Sequence, residues 1–259
     1  MMPTTTRLAP TLLLVCFTGC LAASAGEVSD SQQKWVAHYK SQRNIPQPSE
    51  MLINEDAEPD LADGFASLYN GKNLDGWTPY GGDCTFEAKG ETIVGQLVKG
   101  SPSTYLSTDK NDFADFVFTA EIKMEVPGNT GIMFRAGLRP ENPKRKHRVV
   151  FGPQCEMEEP SKKRGWSGGI YGQADGGWIY PLWLEAHEDA RNAVNYDDWN
   201  RITIKAHGET LQTWINGVPA AHWKTDRYKQ GFFSLQVHSG NQGTIHFRNI
   251  KVKELTTAE

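Results

Sequence analysis

A chain of 259 residues, 38% hydrophobic and 22% charged, can bury a sizeable core as one large β domain or two small ones. Its formal net charge of −4 argues against nucleic acid as the main partner. Abundant Gly (25) and Pro (14), with 8 Trp, 8 Tyr and 11 Phe, point to an all-β protein with many turns rather than a helical one.

The chain opens with Arg7 before an apolar run, Leu12 to Phe17, and the A-x-A site Ala23-Ser24-Ala25. This is the pattern of a cleaved export signal over residues 1–25, and the run is too short to span a bilayer. Phe17-Thr18-Gly19 before Cys20 offers a second reading, a lipoprotein signal with a lipid anchor at Cys20. Both predict export to the periplasm or the extracellular space. Cleavage after Ala25 removes only Arg7 among the charges and takes the formal net charge to −5. It leaves two cysteines, Cys84 and Cys155, expected as buried free thiols, although export permits a disulfide.

Ser29 to Arg43 predicts a short helix with Trp35 and Tyr39 on one face. Asn44 to Asp63 is rich in Pro, Glu and Asp, so residues 26–63 read as a loosely attached segment and linker. The folded domain is expected over 64–255. GFASLYNGKNLDGW gives a strand and then Asn-Gly and Asp-Gly turn signals. CTFEA, TIVGQLV and STYLST follow as short strands. In FADFVFTAEIKM, Phe116, Phe118, Ala120, Ile122 and Met124 alternate with Val117, Thr119, Glu121 and Lys123, and TGIMFRA returns antiparallel. The basic run Lys144 to Arg148 reads as a solvated loop, and Ser161 to Asp198 as irregular. WNRITIKAHG and TLQTWINGVPAAHW form a hairpin with an Asn216-Gly217 turn. GFFSLQVHSG and GTIHFRNIKVKEL close the domain, with a bulge near Asn249 to reconcile two apolar phases. About a dozen short strands without a long helix predict a two-sheet antiparallel sandwich of jelly-roll type.

Strand phase selects the chemistry. In Val149 to Glu159, Gln154, Glu156 and Glu158 share one face, with Cys155 and Met157 on the other. The same alternation sets Arg135, Gln236, His238, His246 and Arg248 opposite core faces. Arg, Gln, His and Glu bind hydroxyls and carboxylates with directional geometry, whereas solvated strand faces tend to carry Lys, Thr and Glu. An ordinary outer sheet face is the competing reading. Trp166, Trp178, Tyr180 and Trp183 in the irregular segment are either a sugar-stacking surface or a satellite core. Glu156 and Glu158 are spaced for a retaining glycosidase pair, but Pro160 stands where the E-x-D-x-E pattern of jelly-roll glucanases needs its third acid. No zinc, EF-hand or G-x-S-x-G signature occurs; the acids could hold calcium, but no metal site is assigned and no cofactor is expected.

Taken together, GFASLYNGKNLDGW, NTGIMFRA, GPQCEMEEP, SGGIYG, DDWNRITIKAHGETLQTWINGV and GFFSLQVHSGNQGTIHFRNIKVKEL resemble the 3-keto-disaccharide (3-keto-glycoside) hydrolase domain family over Gly64 to Leu255. The resemblance implies a concanavalin-like jelly roll and a carbohydrate partner. Some members of the family act on glycosides already oxidised at C3 of the sugar. A C3 ketone acidifies the C2 proton, so a base can form an enolate and the C1 substituent can leave by elimination before water adds back. On chemistry and strand phase, Glu156 and His238 are the candidate base and acid, and Arg135 and Arg248 enolate stabilisers. Gln154 and Gln236 would orient hydroxyls, Glu158 and His246 complete the polar face, and Tyr171 and Trp166 form a sugar platform. A non-catalytic carbohydrate-binding module of lectin-like fold is the other expectation.

Overall fold

The computed structural model describes residues 26–255; the expected export signal and the alternative anchor at Cys20 fall outside the described residues. In chain order the strands are β1 (Ala66–Ser67), β2 (Trp77–Tyr80), β3 (Thr85–Lys89), β4 (Thr92–Gln96), β5 (Thr104–Thr108), β6 (Phe116–Val126), β7 (Thr130–Leu138) and β8 (Val150–Met157). They continue as β9 (Ile170–Gln173), β10 (Gly177–Tyr180), β11 (Asn200–His207), β12 (Thr210–Ile215), β13 (Val218–Lys224), β14 (Phe232–Val237) and β15 (Thr244–Glu254). Two short helices, α1 (Gln33–Tyr39) and α2 (Glu188–Asn192), flank them.

The strands pair antiparallel into two sheets. One runs β13-β12-β11-β6-β15-β4-β3, with β1 also on β15; the other runs β10-β9-β8-β7-β14-β5-β2. The chain passes repeatedly from one sheet to the other, as a jelly-roll sandwich requires. Alternation puts Phe116, Phe118, Ala120 and Ile122 of β6 fully into the inter-sheet core. They meet Phe233 and Leu235 of β14 from the other sheet. Phe233 sits 4.5 to 4.7 Å, ring to ring, from Phe113, Phe116 and Phe118. Each such ring removed from water contributes about 1.5–3 kcal/mol.

Asn216 and Gly217 both have positive φ (52° and 85°) and join β12 to β13, so the expected hairpin is a three-strand meander that begins with β11. β15 changes register between Arg248 and Lys251, with Asn249 at φ 51°, which is the bulge its two apolar phases demand. Cys84 and Cys155 are both buried and free.

Residues 26–63 are not a loose linker. Composition suggested one because the segment has few apolar side chains, yet its polar groups close against the sandwich. Gln42 grips the edge strand β10: its Nε2 donates to the Trp178 carbonyl (2.8 Å) and its Oε1 accepts from the Trp178 N–H (2.9 Å). Further along, Asn54 donates to the Thr213 carbonyl and accepts from Gln212. Glu58 binds Arg201 through both oxygens at 2.9 and 2.5 Å. The segment is a strap, running from the edge of the seven-stranded sheet to the outer face of the eight-stranded one.

Candidate active-site cleft

The irregular stretch after β8, the β6–β7 turn, the end of β14 and the strap rise around the outer face of the seven-stranded sheet. They enclose a cleft of about 990 Å³. Its lining includes Gln154 and Glu156 of β8 and Tyr171 and Gln173 of β9. Trp178 of β10, Asn129, Lys162, Arg164 and His238 also line it, as do Tyr39 and Gln42 of the strap. Both GPQCEMEEP and the Gly/Trp-rich segment therefore converge on one place.

Glu156 is at its centre. The side chain is only 5% exposed. Each carboxylate oxygen accepts one amide N–H: Oε1 from Asn129 Nδ2 (2.6 Å) and Oε2 from Gln154 Nε2 (2.7 Å). Gln154 also donates to Gln236 Oε1 (3.0 Å), and Gln236 Nε2 donates to the Tyr105 hydroxyl (3.2 Å). This amide chain fixes the carboxylate without a direct cation. Burial, reinforced by the negative charge of Glu158, outweighs these donors and Arg164, and pushes the Glu156 carboxyl up to about 7. Gln154 Oε1 is buried and without a partner, an open acceptor beneath the cleft. A Cβ on Gly131, across the strand pair, would lie 2.7 Å from Gln154 Nε2, so the glycine makes room for that amide.

Glu158 does not reach the cleft. It is 1% exposed, its Oε1 taken by Arg164 Nε and Nη2 (2.5 Å each) and its Oε2 by the Trp166 N–H (3.1 Å). Burial still raises its carboxyl despite Arg164. The two acids are thus unlike: Glu156 faces the cleft and Glu158 is sealed behind it. Glu156 and Glu158 therefore do not flank one glycosidic bond as a retaining pair would. Trp166, expected as a sugar platform, is fully buried under Arg164, whose guanidinium lies 4.8 Å from its ring and 4.9 Å from that of Trp178. The irregular segment has too little strand pattern to show which Trp turns inward; Trp178 and Tyr171 are the ones at the cleft. Gln236 lies below the lining, reached only through Gln154.

His238, at the end of β14, is partly exposed. Its Nδ1 bonds the Ser239 carbonyl at 2.6 Å, so Nδ1 carries the hydrogen and Nε2 is the free functional nitrogen.

Three expected site residues are elsewhere. Arg135 falls at a bulge: Phe134, Arg135 and Ala136 of β7 lie opposite only Gly152 and Pro153 of β8, and Arg135 takes φ 44°. The extra residue breaks the alternation used to assign it. Its guanidinium is buried, bonded to the carbonyls of Ala114, Gly208 and Tyr228 and to Asp115. His246 and Arg248 belong to β15, in the other sheet, where they pair with Glu125 (2.6 Å) and Glu121 (2.5 Å). Strand phase gives a face but not the sheet that carries it.

Arg164, Asn129, Tyr39 and Gln42 were missed. Asn129 sits in PGNTG, where only the turn is legible. Arg164 lies among lysines, and no periodicity separates it from Lys162 and Lys163. Among the described residues no group of three or more His, Cys, Asp or Glu side chains is placed to hold a metal ion, and no helix is long and apolar enough to cross a membrane.

Residues 64–253 match the model of a family described as the 3-keto-alpha-glucoside-1,2-lyase-like domain. No curated protein matches the chain. Among solved structures, the chain is similar to a candidate glycosyl hydrolase from Parabacteroides distasonis, at 20% identity and a TM-score of 0.51, covering 74% of this chain and 94% of that one. It is also similar to a galectin-like-fold protein of unknown function from Bacillus subtilis, at 13% identity and a TM-score of 0.51, covering 73% and 96%. At these identities the likeness is one of fold.

Proposed function

The chain belongs to the family of 3-keto-alpha-glucoside-1,2-lyase-like domains, and we propose that its cleft cleaves glycosides bearing a ketone at C3, with Glu156 as the general base. The observation that carries this reading is a buried carboxylate with its carboxyl pushed up to about 7, facing a cleft of sugar size. An ordinary solvated carboxylate is too weak a base for a carbon acid at neutral pH. Glu156 ionises near neutrality, and so matches that task better.

In this proposal Glu156 takes the C2 proton, and the C2–H electrons form a C2=C3 double bond as the C3 carbonyl becomes an enolate. The enolate electrons return to re-form the C3 carbonyl, a C1=C2 double bond forms and the C1–O bond breaks. The departing oxygen receives a proton from His238 Nε2 in its imidazolium form. Water then adds at C1 and gives its proton to the neutral His238, while the proton on Glu156 returns to C2, which completes net hydrolysis and restores both groups. Arg135 is too far engaged in its own buried contacts to meet the enolate. Lys162, at the cleft and 3.6 Å from Glu159, takes over the stabilising role in this reading, while Arg164 is held by Glu158 and Tyr39. Tyr171, half-buried and backed by the Trp178 ring at 5.4 Å, offers the apolar surface for a sugar ring.

The test is to mix the purified protein with 3-keto-trehalose, 3-keto-sucrose or a 3-keto-glucoside and follow release of the second sugar. Release at a rate that collapses in Glu156→Gln supports the reading. Binding without release would make the cleft a carbohydrate-binding site instead. The proposed setting is outside the cytoplasm; mass spectrometry of the mature N-terminus distinguishes Gly26 from a lipidated Cys20, and an intact Met1 in the native host refutes export.

A further inference from the structure

The family match begins at Gly64, yet the cleft does not. Three strap side chains hold the far wall. Gln32 accepts from Trp166 Nε1 (2.8 Å) and donates to the Arg164 carbonyl (3.2 Å). Gln42 pins the Trp178 backbone. The Tyr39 hydroxyl accepts from Arg164 Nη1 (2.5 Å), and its ring lies 5.6 Å from that of Trp166. Arg164 thus has one hand on Tyr39 and the other on Glu158, with its flat faces against Trp166 and Trp178. Glu158 lies two residues beyond Glu156, just past the end of β8, and is the negative charge that raises the Glu156 carboxyl.

We propose that the N-terminal strap is a working part of the active site, with Tyr39 a positioning residue that acts through Arg164 and Glu158 on the charge state of Glu156. The inference rests on the reading of Glu156 as the base. Without the tyrosine oxygen the guanidinium keeps Glu158 and the two indoles but loses the partner of Nη1, and its hold on the carboxylate loosens. The tyrosine oxygen supplies the second anchor that keeps it against the carboxylate. With Arg164 in place, the Glu158 charge is screened and Glu156 can ionise close to neutral pH. With Arg164 loosened, two adjacent buried carboxylates repel and the pair holds its proton more tightly. The other titratable groups around Glu156 are Glu159 and Lys162 beyond β8, Tyr171 on β9 and His238 after β14, with Tyr105 on β5 behind Gln236. None of these contacts Arg164 as Tyr39 does.

The test is Tyr39→Phe, which keeps the ring and removes only the oxygen. Infrared difference spectroscopy follows the protonated carboxyl band of Glu156, assigned by its loss in Glu156→Gln, and needs no turnover. The expected result is a titration moved up by about half to one pH unit. The acid limb of kcat/KM should move with it, lowering the rate at pH 6 by about 3- to 10-fold, with the gap narrowing at higher pH. Arg164→Gln should give a larger shift in the same direction, and adding Tyr39→Phe to it should do nothing more. An unmoved carboxyl titration in Tyr39→Phe overturns the inference, as does a Tyr39→Phe shift that persists in the Arg164→Gln background. If the titration moves and the rate profile does not, the relay stands and Glu156 is not the base.

Discussion

The two outer faces of this sandwich are built by the same alternation and look alike as text, yet they differ in what covers them. On the eight-stranded sheet, Arg248 and His246 pair with Glu121 and Glu125 at the surface, and Arg248 stacks 4.0 Å over Trp199. Glu87 and Lys89 likewise form an exposed pair. On the seven-stranded sheet, Gln154, Glu156, Gln236 and Ser234 are all buried, and the bonds run amide to carboxylate and hydroxyl to hydroxyl. A cation paired directly with Glu156 would have held its carboxyl low; the amides allow burial to raise it. The difference lies not in the strands but in the covering loops and in the strap, which walls the cleft on one face and lies along β11 to β13 on the other.

The sharpest way to break the comparison is through the covered face. Glu156→Gln should lower kcat by about 10²- to 10⁴-fold while leaving keto-glycoside binding close to wild type by calorimetry. Equal loss in His238→Asn with none in Glu156→Gln would exchange the two roles.

Next comes the buried cation that sequence alone placed in the site. Arg135→Ala strands Asp115 and three carbonyls, and should cost about 3–5 kcal/mol in urea unfolding. The fraction that remains folded should keep its kcat, because Arg135 does not line the cleft. A specific loss of kcat in folded protein would return Arg135 to the chemistry.

The pH dependence separates function from stability. The Glu156 carboxyl lies near 7 in the fold and near 4.5 in the unfolded chain, so the fold binds the proton more tightly. The stability this gives is fully present below pH 4.5 and lost as pH rises through 7. Base catalysis runs the other way and needs the carboxylate. Glu156→Gln should therefore be more stable than wild type at pH 8 by about 1–3 kcal/mol, with the difference fading towards pH 4.5. Thermal unfolding at both pH values checks it. Wild-type activity should fall about tenfold per unit below pH 7.

The smallest effect is expected on the other face. His246→Ala and Arg248→Ala break exposed or half-exposed pairs, should each change stability by no more than about 1 kcal/mol, and should leave turnover untouched. Any large change in kcat from either would mean that the two faces are not functionally distinct.

What could be read beforehand follows this same division. Local rules reached far: the alternation in β6, the Asn216-Gly217 turn and the bulge at Asn249 are written in adjacent residues. So is the inward turn of Cys155 and Met157 that aims Gln154 and Glu156 outward. Arg135 misled because a one-residue bulge opposite Gly152-Pro153 shifts its phase. His246 and Arg248 misled because membership of a sheet is decided by long-range pairing. The strap misled because Pro, Glu and Asp suggest solvation unless the buried groups awaiting them are known. Arg164 and Tyr39, 125 residues apart, could not have been joined from sequence.

The grip of Gln42 on Trp178 has a consequence for the molecule's behaviour among its own copies. β10 is an edge strand, and an open edge offers its N–H and C=O groups to any passing extended chain. One glutamine side chain, by occupying both groups at Trp178, acts as a stopper against strand-by-strand growth. Gln42→Ala removes that stopper without touching the fold's interior, and the edge it uncovers is where self-association should begin, seen as a rise in light scattering with protein concentration.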